Sequence, residues 1–219
     1  MKCAVTTARQ LFDEHDQKIV QFEDAYADYL MQFGYQLFVL PVASDIRAIS
    51  MLRPKLILLP GGGDAPSDYY DSTVEVVAQN ERDILEKHLI KYAINNNIPL
   101  FGICRGMQMI NGFLGGKLTR SFLGTHPIAV NHTVSYLKNN DMYEVNSFHR
   151  DFIQTCSLSK SLEAIVLDTT NKHVEAFVGV KNNILGVQWH PERVSDKEKA
   201  CKKISCMLIS NLIHRGEVL

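Results

Sequence analysis

The sequence contains no uninterrupted apolar run that approaches the ~20 residues needed to cross a bilayer. Its first residues, MKCAVTTARQ, lack the apolar core of a secretory signal, and its five cysteines form no CxxC pair. An excess of either charge is also missing, since the formal net charge is -1. These absences predict a cytoplasmic protein with reduced thiols. They argue against a surface dedicated to nucleic acid or to a membrane.

Internal repeats, low-complexity tracts and Pro/Gly/Ser-rich linkers are absent as well. The chain has 219 residues, of which 46% are hydrophobic and 21% are charged, an ordinary composition for a globular protein. A chain of this length can bury one sizeable core. We therefore expect a single domain over residues 1–219.

Short apolar runs alternate with helical patterns in the first half of the chain. Four runs have the character of buried strands: CAVTT (3–7), YQLFVLPV (35–42), KLILLPGGG (55–63) and IPLFGIC (98–104). Segments 18–34 and 81–97 between them have helical periodicity. This alternation predicts an α/β fold, with a mostly parallel sheet sandwiched by helices.

The second half has closely spaced strand-like segments with few helical patterns between them. These segments are VSYL (134–137), YEVNSF (143–148), EAIVLD (163–168), VEAFVGV (174–180) and ILGVQWH (184–190). Their spacing predicts a small antiparallel excursion before the chain rejoins the main sheet. A final helix is expected from about 197 to 214.

The stretch FGICRG (101–106) is the first candidate for chemistry. Gly102 and Gly106 form a G-x-C-x-G pattern, and a nucleophile on a sharp strand-to-helix turn needs such small neighbours. The N-terminus of the following helix would stabilise a thiolate at Cys104, and the backbone N–H of Arg105 would be free to donate to an oxyanion. On this stretch alone, a core cysteine in a glycine-rich turn is the alternative.

The stretch GVQWHPE (186–192) contains the groups that a cysteine nucleophile needs. A histidine acts as its base, and an acceptor fixes the tautomer of that histidine. His190 ends a predicted strand, and Glu192 lies two residues on, across a proline that stiffens the turn. A lone histidine is more often an ordinary turn residue, but Cys104, His190 and Glu192 together predict a catalytic triad.

The stretch LLPGGGD (58–64) follows another predicted strand. Its three glycines permit positive φ angles and let backbone N–H groups face a ligand. Gly62 or Gly63 is expected to donate to the oxyanion, and the sequence leaves the choice open, with a plain turn as the alternative. A Walker-type phosphate loop is excluded because no GK[ST] follows, and GGKLT (115–119) has Leu where Ser or Thr is required.

With these three loops the sequence resembles the class I glutamine amidotransferase-like family over essentially the whole chain. Within that family it looks most like the free-standing γ-glutamyl hydrolases, such as the γ-glutamyl-GABA and γ-glutamyl-CDP-amidate hydrolases. Further stretches carry this likeness: RD (82–83), GICRGMQMINGFLGGKL (102–118), VNSFHRDF (145–152) and VEAF (174–177). The resemblance implies a flavodoxin-like fold and a reaction that needs neither a cofactor nor a metal.

The resemblance also implies roles for individual residues. Cys104 becomes the nucleophile, His190 the general base and then acid, and Glu192 the group that orients the histidine. The substrate-binding residues that it implies are Gln108 for the glutamyl end, Asn146, Ser147, Phe148 and His149 for the α-carboxylate and α-amino group, and Glu175 for the α-ammonium. The alternative for Gln108 and Asn146 is that they are helix-surface or turn-capping residues. For Glu175, a substrate-binding role and a purely structural role are equally favoured. His149 and Arg150 depart from the pattern, which leaves the leaving amine open.

The implied activity is hydrolysis of a γ-glutamyl amide to glutamate and an amine, with a small molecule as substrate and no protein partner required. With γ-glutamyl-CDP-amidate the products would be glutamate and cytidine diphosphoramidate, in capsule biosynthesis. One alternative is a glutaminase subunit that delivers ammonia to a synthase partner, and another is a non-catalytic relative that binds a γ-glutamyl ligand. Five loop residues could line a pocket for the amine or equally face solvent: Arg9, Asp64, Tyr69, Tyr70 and Arg150.

Overall fold

The computed structural model describes residues 1–41, 46–77, 79–121, 130–194 and 199–215. Within these ranges the strands are β1 Lys2–Thr6, β2 Arg9–Phe12, β3 Lys18–Gln21, β4 Tyr35–Val39, β5 Leu56–Leu59, β6 Leu100–Ile103, β7 Thr119–Arg120, β8 Val130–Tyr136, β9 Asp141–Ser147, β10 Asp151–Phe152, β11 Leu162–Asp168, β12 Val174–Gly179 and β13 Ile184–Val187. The α-helices are α1 Ala25–Met31, α2 Ile46–Leu52, α3 Asn80–Asn95, α4 Arg105–Phe113 and α5 Lys199–Arg215.

Nine of these strands form one sheet in the order β4-β1-β5-β6-β13-β12-β11-β8-β9. Neighbouring strands run parallel from β4 to β13 and antiparallel from β13 to β9. Short connections such as the turn between β8 and β9 produce antiparallel neighbours, because a parallel pair needs a crossover of a dozen or more residues. The predicted α/β fold with an antiparallel excursion is confirmed, and the excursion comprises β12, β11, β8 and β9.

Side chains of the central parallel strands alternate between two apolar cores, one on each face of the sheet. Along β5, Leu56 and Leu58 pack into one core, Ile57 and Leu59 pack into the other, and all four are fully buried. Helices α1 and α5 contribute to the first core, and α3 and α4 contribute to the second. Burial on both faces explains why these strands appear in the sequence as unbroken apolar runs.

The segment 18–34, which the sequence predicts as one helix, forms a strand followed by a shorter helix. β3 pairs with β2 in an antiparallel hairpin, and only Ala25–Met31 is helical. The carboxylate of Asp13 accepts two main-chain hydrogen bonds of 2.9 Å and so closes the hairpin turn. Because Ile19 and Val20 lie exposed in β3, their apolar periodicity does not reflect a buried helix face, and the helix prediction is wrong there.

Other differences concern short elements and helix ends. Helix α2 and the short strands β7 and β10 have no counterpart in the sequence prediction, because each is too short to show a clear period. The final helix is described from Lys199, so the expected start near 197 lies outside the described residues. None of the described helices combines the length and the apolar character that a membrane crossing requires.

Helix α4 packs so closely against β5 that residue 106 has no room for a side chain. A Cβ at Gly106 would lie 1.9 Å from the carbonyl oxygen of Leu59, and a Cβ at Gly102 would lie 2.7 Å from the backbone of Gly106. Backbone atoms cannot turn aside as a flexible side chain can. Glycine is therefore required at both positions to keep the first turn of α4 against the sheet.

We expect Gly106→Ala to lower the free energy of unfolding by about 3 kcal/mol or more, at the upper end of overpacking costs, because the obstacle is backbone. Gly115→Ala is the matched control, since a Cβ there meets open space but φ is +89°. It should cost only about 1–2 kcal/mol, from the left-handed backbone alone. Urea denaturation followed by circular dichroism measures both, and equal losses would contradict this account of the close packing.

Candidate active site

Strands β5, β6 and β13 are neighbours in the sheet and end at the same edge. The register pairs Leu59 with Gly102 and Ile103 with Val187, so the loops after the three strands begin side by side. These loops contain the three motifs LLPGGGD, CRG and HPE. The structure therefore brings the motifs together at the carboxyl ends of parallel strands, where ligands of α/β sheets bind.

Cys104 lies on a strained turn between β6 and α4. Its backbone has φ 52° and ψ -109°, a combination that non-glycine residues rarely adopt, and its N–H donates to the carbonyl of Val187 over 2.8 Å. The side chain is largely buried but lines a cavity of about 370 Å³. Strain of this kind costs about 1–3 kcal/mol and clusters at functional sites, whereas a cysteine that only fills the core does not need it.

His190 lies between Cys104 and Glu192. Its Nδ1 is 2.6 Å from Oε1 of Glu192, and Cys104 lies close enough to the ring to affect its pKa. Burial opposes the charge on this ring, but the charge and hydrogen bond of Cys104, together with those of Glu192, raise the pKa of His190 to about 10. A raised pKa favours the imidazolium form of the ring, which would stabilise a negative charge on the sulfur of Cys104.

Gly61 makes room for this arrangement. A Cβ at position 61 would lie 2.8 Å from Cε1 of His190 and 3.5 Å from Cβ of Cys104. The histidine ring and the cysteine side chain therefore meet directly above the glycine. A larger residue at this position would separate them or displace the ring.

The main chain of His190 is held by Asn146 of β9. Oδ1 of Asn146 accepts a hydrogen bond of 2.8 Å from the N–H of His190, and Nδ2 donates one of 2.9 Å to its carbonyl. Asn146 is buried and is not one of the cavity-lining residues that the structure describes. Its amide therefore positions His190, whereas the family resemblance implied a contact with the substrate.

The loop after β5 directs its carbonyl groups to one side. Arg82 of α3 donates to the carbonyls of residues 60–62 over 2.7–3.0 Å. Across a trans peptide bond the N–H points away from the C=O, so the following N–H groups point away from Arg82. The first of them, that of Gly61, donates to the hydroxyl of Tyr26 over 3.0 Å.

The next two N–H groups belong to Gly62 and Gly63, which line the cavity with φ angles of 85° and 80°. Neither N–H has a hydrogen-bond partner within the described part of the chain. The N–H of Arg105, at the first position of α4, is also of the kind that a helix leaves without an internal partner. Two segments therefore offer N–H groups beside Cys104.

A buried cluster of ion pairs holds Arg82, and the sequence analysis assigned no role to it. Arg82 donates to Glu86 over 2.7 Å, Glu86 also pairs with Arg105, and Arg105 also pairs with Asp83. Burial opposes ionisation of Glu86, but the two arginines keep its pKa below the usual value. Since breaking a buried pair costs about 3–5 kcal/mol, the cluster firmly fixes α3, α4 and the glycine loop together. The available signal was an Arg–Glu pair four residues apart on one helix face.

Three of the predicted substrate-binding residues line the cavity: Gln108, Phe148 and His149. The amide of Gln108 is buried and donates to the carbonyl of Asp151 over 3.0 Å. The ring of Phe148 stands edge-on to that of His190, with 5.7 Å between centroids, and so covers one side of it. These residues form a partly apolar wall opposite the glycine loop.

Ser147 and Glu175 are buried and lie outside the set of described residues that line the cavity. The carboxylate of Glu175 is 3.4 Å from Nε2 of His132 and 3.9 Å from Nε2 of His149. This group has the residue types and the proximity that a metal ion could use. No contact with the cavity supports the expectation that Glu175 meets an α-ammonium.

Three of the five loop residues considered for the amine pocket line the cavity, namely Arg9, Asp64 and Arg150. Tyr70 is buried beside the cavity and donates to the carboxylate of Asp151 over 2.6 Å. Tyr69 is also buried, with its ring where a Cβ at Gly112 would lie. Both tyrosines are therefore packed into the protein interior and are not among the described residues that line the cavity.

Comparisons with known proteins identify relatives of this chain. The family model described as Peptidase C26 matches residues 2–192. The glutamine amidotransferase-like protein YvdE of Lactococcus lactis is 30% identical over 210 residues, which span 85% of this chain and 87% of that protein. The γ-glutamyl-CDP-amidate hydrolase of Campylobacter jejuni is 31% identical over 141 residues, which span 64% of this chain and 62% of that enzyme.

Two further comparisons concern one more sequence relative and one solved structure. The carbamoyl phosphate synthase small chain of Buchnera aphidicola is 28% identical over 165 residues, which span 74% of this chain and 38% of that one. A solved glutamine amidotransferase from Thermotoga maritima matches the structure with a TM-score of 0.59 at 16% identity, over 99% of this chain and 92% of that chain. The second likeness shows the fold. On the family match and the relatives together, this chain belongs to the Peptidase C26 family of class I glutamine amidotransferase-like proteins.

Proposed function

We propose that this protein is a cysteine hydrolase that cleaves a γ-glutamyl amide bond and releases glutamate and an amine. The observation that carries the proposal is the proximity of Cys104, on its strained turn, to the ring of His190, whose Nδ1 faces Glu192. Membership of a peptidase family and a γ-glutamyl-CDP-amidate hydrolase among the relatives support a hydrolase. A reactive thiol of this kind suits the reducing cytoplasm expected from the sequence.

In the first half of the proposed reaction, the thiolate of Cys104 attacks the γ-carbonyl carbon of the substrate. The negative charge that develops on the carbonyl oxygen is stabilised by N–H groups of Gly62 or Gly63 and of Arg105. Each such donor contributes about 2.7–4 kcal/mol to the transition state. His190 then gives its proton to the leaving nitrogen, the C–N bond breaks, and the amine departs from a glutamyl thioester.

In the second half, water attacks the thioester. His190, which has lost its proton to the amine, takes one from this water, and the oxyanion is stabilised in the same place. Collapse of the intermediate breaks the C–S bond and releases glutamate with the Cys104 thiolate restored. Glu192 stabilises the imidazolium and orients the ring in both halves. The sequence of steps requires no redox change.

The glutamyl end is assigned to the wall formed by Gln108 and His149. The amide nitrogen of Gln108 already donates to Asp151 and Gln188, so its oxygen is the atom left to accept from an α-amino group. The main chain around His149 would supply the donors for an α-carboxylate. One candidate substrate is γ-glutamyl-CDP-amidate, which would give glutamate and cytidine diphosphoramidate. Its support is the name of the Campylobacter jejuni relative.

A glutaminase subunit that delivers ammonia to a synthase is the second candidate function. It is favoured by the likeness to a carbamoyl phosphate synthase small chain, and it would use the same catalytic residues. Steady-state assays of the purified chain separate the two. A hydrolase turns over γ-glutamyl amides without a partner, whereas a glutaminase subunit prefers glutamine and accelerates when a synthase is added.

We expect Cys104→Ser to lower turnover of γ-glutamyl amides by orders of magnitude while the thermal unfolding transition is retained, because a serine hydroxyl cannot be ionised by His190 as a thiol can. A glutamine-like electrophile should label the wild-type protein at Cys104, and labelling should be slow in His190→Ala. Mass spectrometry of the intact protein measures both. Cys156→Ser is the control, since Cys156 is an exposed free thiol outside the site. Near-normal turnover by Cys104→Ser would refute the nucleophile.

We expect Glu192→Gln to lower kcat by about 10²- to 10⁴-fold, the range of an acid–base contribution, and to leave measurable activity. The same change should lower the pKa of His190 from about 10, because it removes the charge of the carboxylate that favours the imidazolium. NMR titration of the His190 ring measures this shift. Glu163→Gln, on an exposed position of β11, is the matched control. An unchanged His190 titration in Glu192→Gln would contradict the proposed role of Glu192.

A further inference from the structure

Arginine side chains surround the part of the cavity that lies beyond the glycine loop. Arg9, Arg150 and Arg193 all line the same space as Cys104, and we call them the arginine rim. Guanidinium groups bind carboxylates and phosphates through paired hydrogen bonds. Which of the three is available for a substrate depends on the charges that each one already meets.

Two of the rim arginines have acidic partners. Arg150 donates to Asp64 over 2.7 Å. Arg120, which is not part of the rim, pairs with Asp64 over 2.9 Å and with Asp151 over 3.0 Å. The charges of Arg120 and Arg150 therefore balance those of Asp64 and Asp151. Arg193 pairs with Glu23 over 2.6 Å outside the cavity.

The other arginines beside the cavity have acidic partners too. Arg82 and Arg105 pair with Asp83 and Glu86. Glu192 faces His190, and it also lies 3.8 Å from Nε of Arg193. None of these acidic side chains forms an ion pair with Arg9.

Arg9 differs from the other rim arginines. Within the part of the chain that the structure describes, its side chain has no ion pair or hydrogen bond, and its Nε is buried without a partner. A guanidinium that is partly removed from water and has no bonded partner favours the binding of an anion that accepts its hydrogen bonds.

The position of Arg9 is also well defined. The adjacent residue Gln10 exchanges two main-chain hydrogen bonds with the amide of Gln79, of 3.1 and 3.2 Å, which tie β2 to the start of α3. The stem of Arg9 lies over the glycine loop, with its Cδ 3.5 Å from the place of a Cβ at Gly62. The side chain of Arg9 therefore lies beside the glycine loop that is expected to donate to the oxyanion.

We propose that Arg9 binds an anionic group, a carboxylate or a phosphoryl group, on the amine part of the substrate. The protein then selects γ-glutamyl amides of acidic amines over those of neutral or cationic amines. This inference rests on the proposed function, because it assumes that a γ-glutamyl amide occupies the cavity with its glutamyl end on the Gln108 side.

The test uses four γ-glutamyl amides whose amines are similar in size. They are the amides of β-alanine, 2-aminoethylphosphonate, propylamine and 1,3-diaminopropane, and kcat/KM is measured for each. The wild-type protein should favour the two anionic amides, and the comparison of carboxylate with phosphonate shows which anion fits. For each variant, the kcat/KM for the preferred anionic amide is divided by the kcat/KM for the propylamide. In Arg9→Gln this ratio should fall about 10- to 100-fold, which is the effect expected when a hydrogen bond to a charged group is lost.

Two further variants sharpen the result. Arg9→Lys should retain part of the preference, because it keeps the charge but not the forked donor geometry. Arg150→Gln is the matched control, since it removes a rim charge that already has an acidic partner, and the ratio should change much less than in Arg9→Gln. The propylamide serves as an internal reference, so misfolding of a variant cannot imitate a lost preference.

Three outcomes would overturn the inference: a wild-type protein that favours neither anionic amide, an Arg9→Gln variant that loses activity on all four amides equally, or an Arg150→Gln variant with as large a change in the ratio. The second outcome would place Arg9 at the glutamyl end. Failure of the proposed function is distinguishable, because then no γ-glutamyl amide is cleaved and Cys104 is not labelled, and the inference falls with it.

Discussion

The turn at Cys104 is the constraint on which the site depends. A non-glycine residue with φ 52° and ψ -109° persists only where the surrounding structure enforces it. The enforcement comes from packing, because the backbones of Gly102, Gly106 and Leu59 leave no space for another atom. This crowding joins the end of β6 to the start of α4 so abruptly that the cysteine side chain must project from the edge of the sheet. Its proximity to His190 and to the N–H groups of the glycine loop follows from that projection.

The other parts of the site are held by buried ion pairs and by hydrogen bonds to the main chain. Arg82 binds the carbonyl groups of the glycine loop, and its position depends on the buried pairs with Glu86 and, through it, Arg105. Asn146 holds the main chain of His190 in the same way, from the opposite half of the sheet. These groups need not touch a substrate to matter. They set the direction of N–H groups and of the imidazole, which is what preorganised stabilisation of an oxyanion requires.

The residue patterns indicated more of the site's chemistry than of its surroundings. Cys104, His190 and Glu192 were expected at one site from the sequence because each motif is local, and the structure brings the three residues to the same edge of the sheet. Ser147 and Glu175, in contrast, are buried outside the cavity, and Asn146 supports His190, although all three sit in stretches that resemble a binding loop. The strand at 18–21 was mistaken for helix because Ile19 and Val20 suggest burial, whereas the hairpin exposes them. Local periodicity cannot tell an exposed strand from a helix face.

The order of amino acids is sufficient for the α/β architecture and for identifying the three loops that meet at the cavity, because apolar runs of strand length and glycine-bounded motifs are properties of neighbouring residues. It is not sufficient for the link between Arg82 and the glycine loop, for the raised pKa of His190, or for the lack of a bonded partner at Arg9 within the described residues. Those features depend on which groups meet across the sheet and on how far burial excludes water. Coulomb interactions and desolvation act through distance in space, and separation along the chain does not reveal that distance.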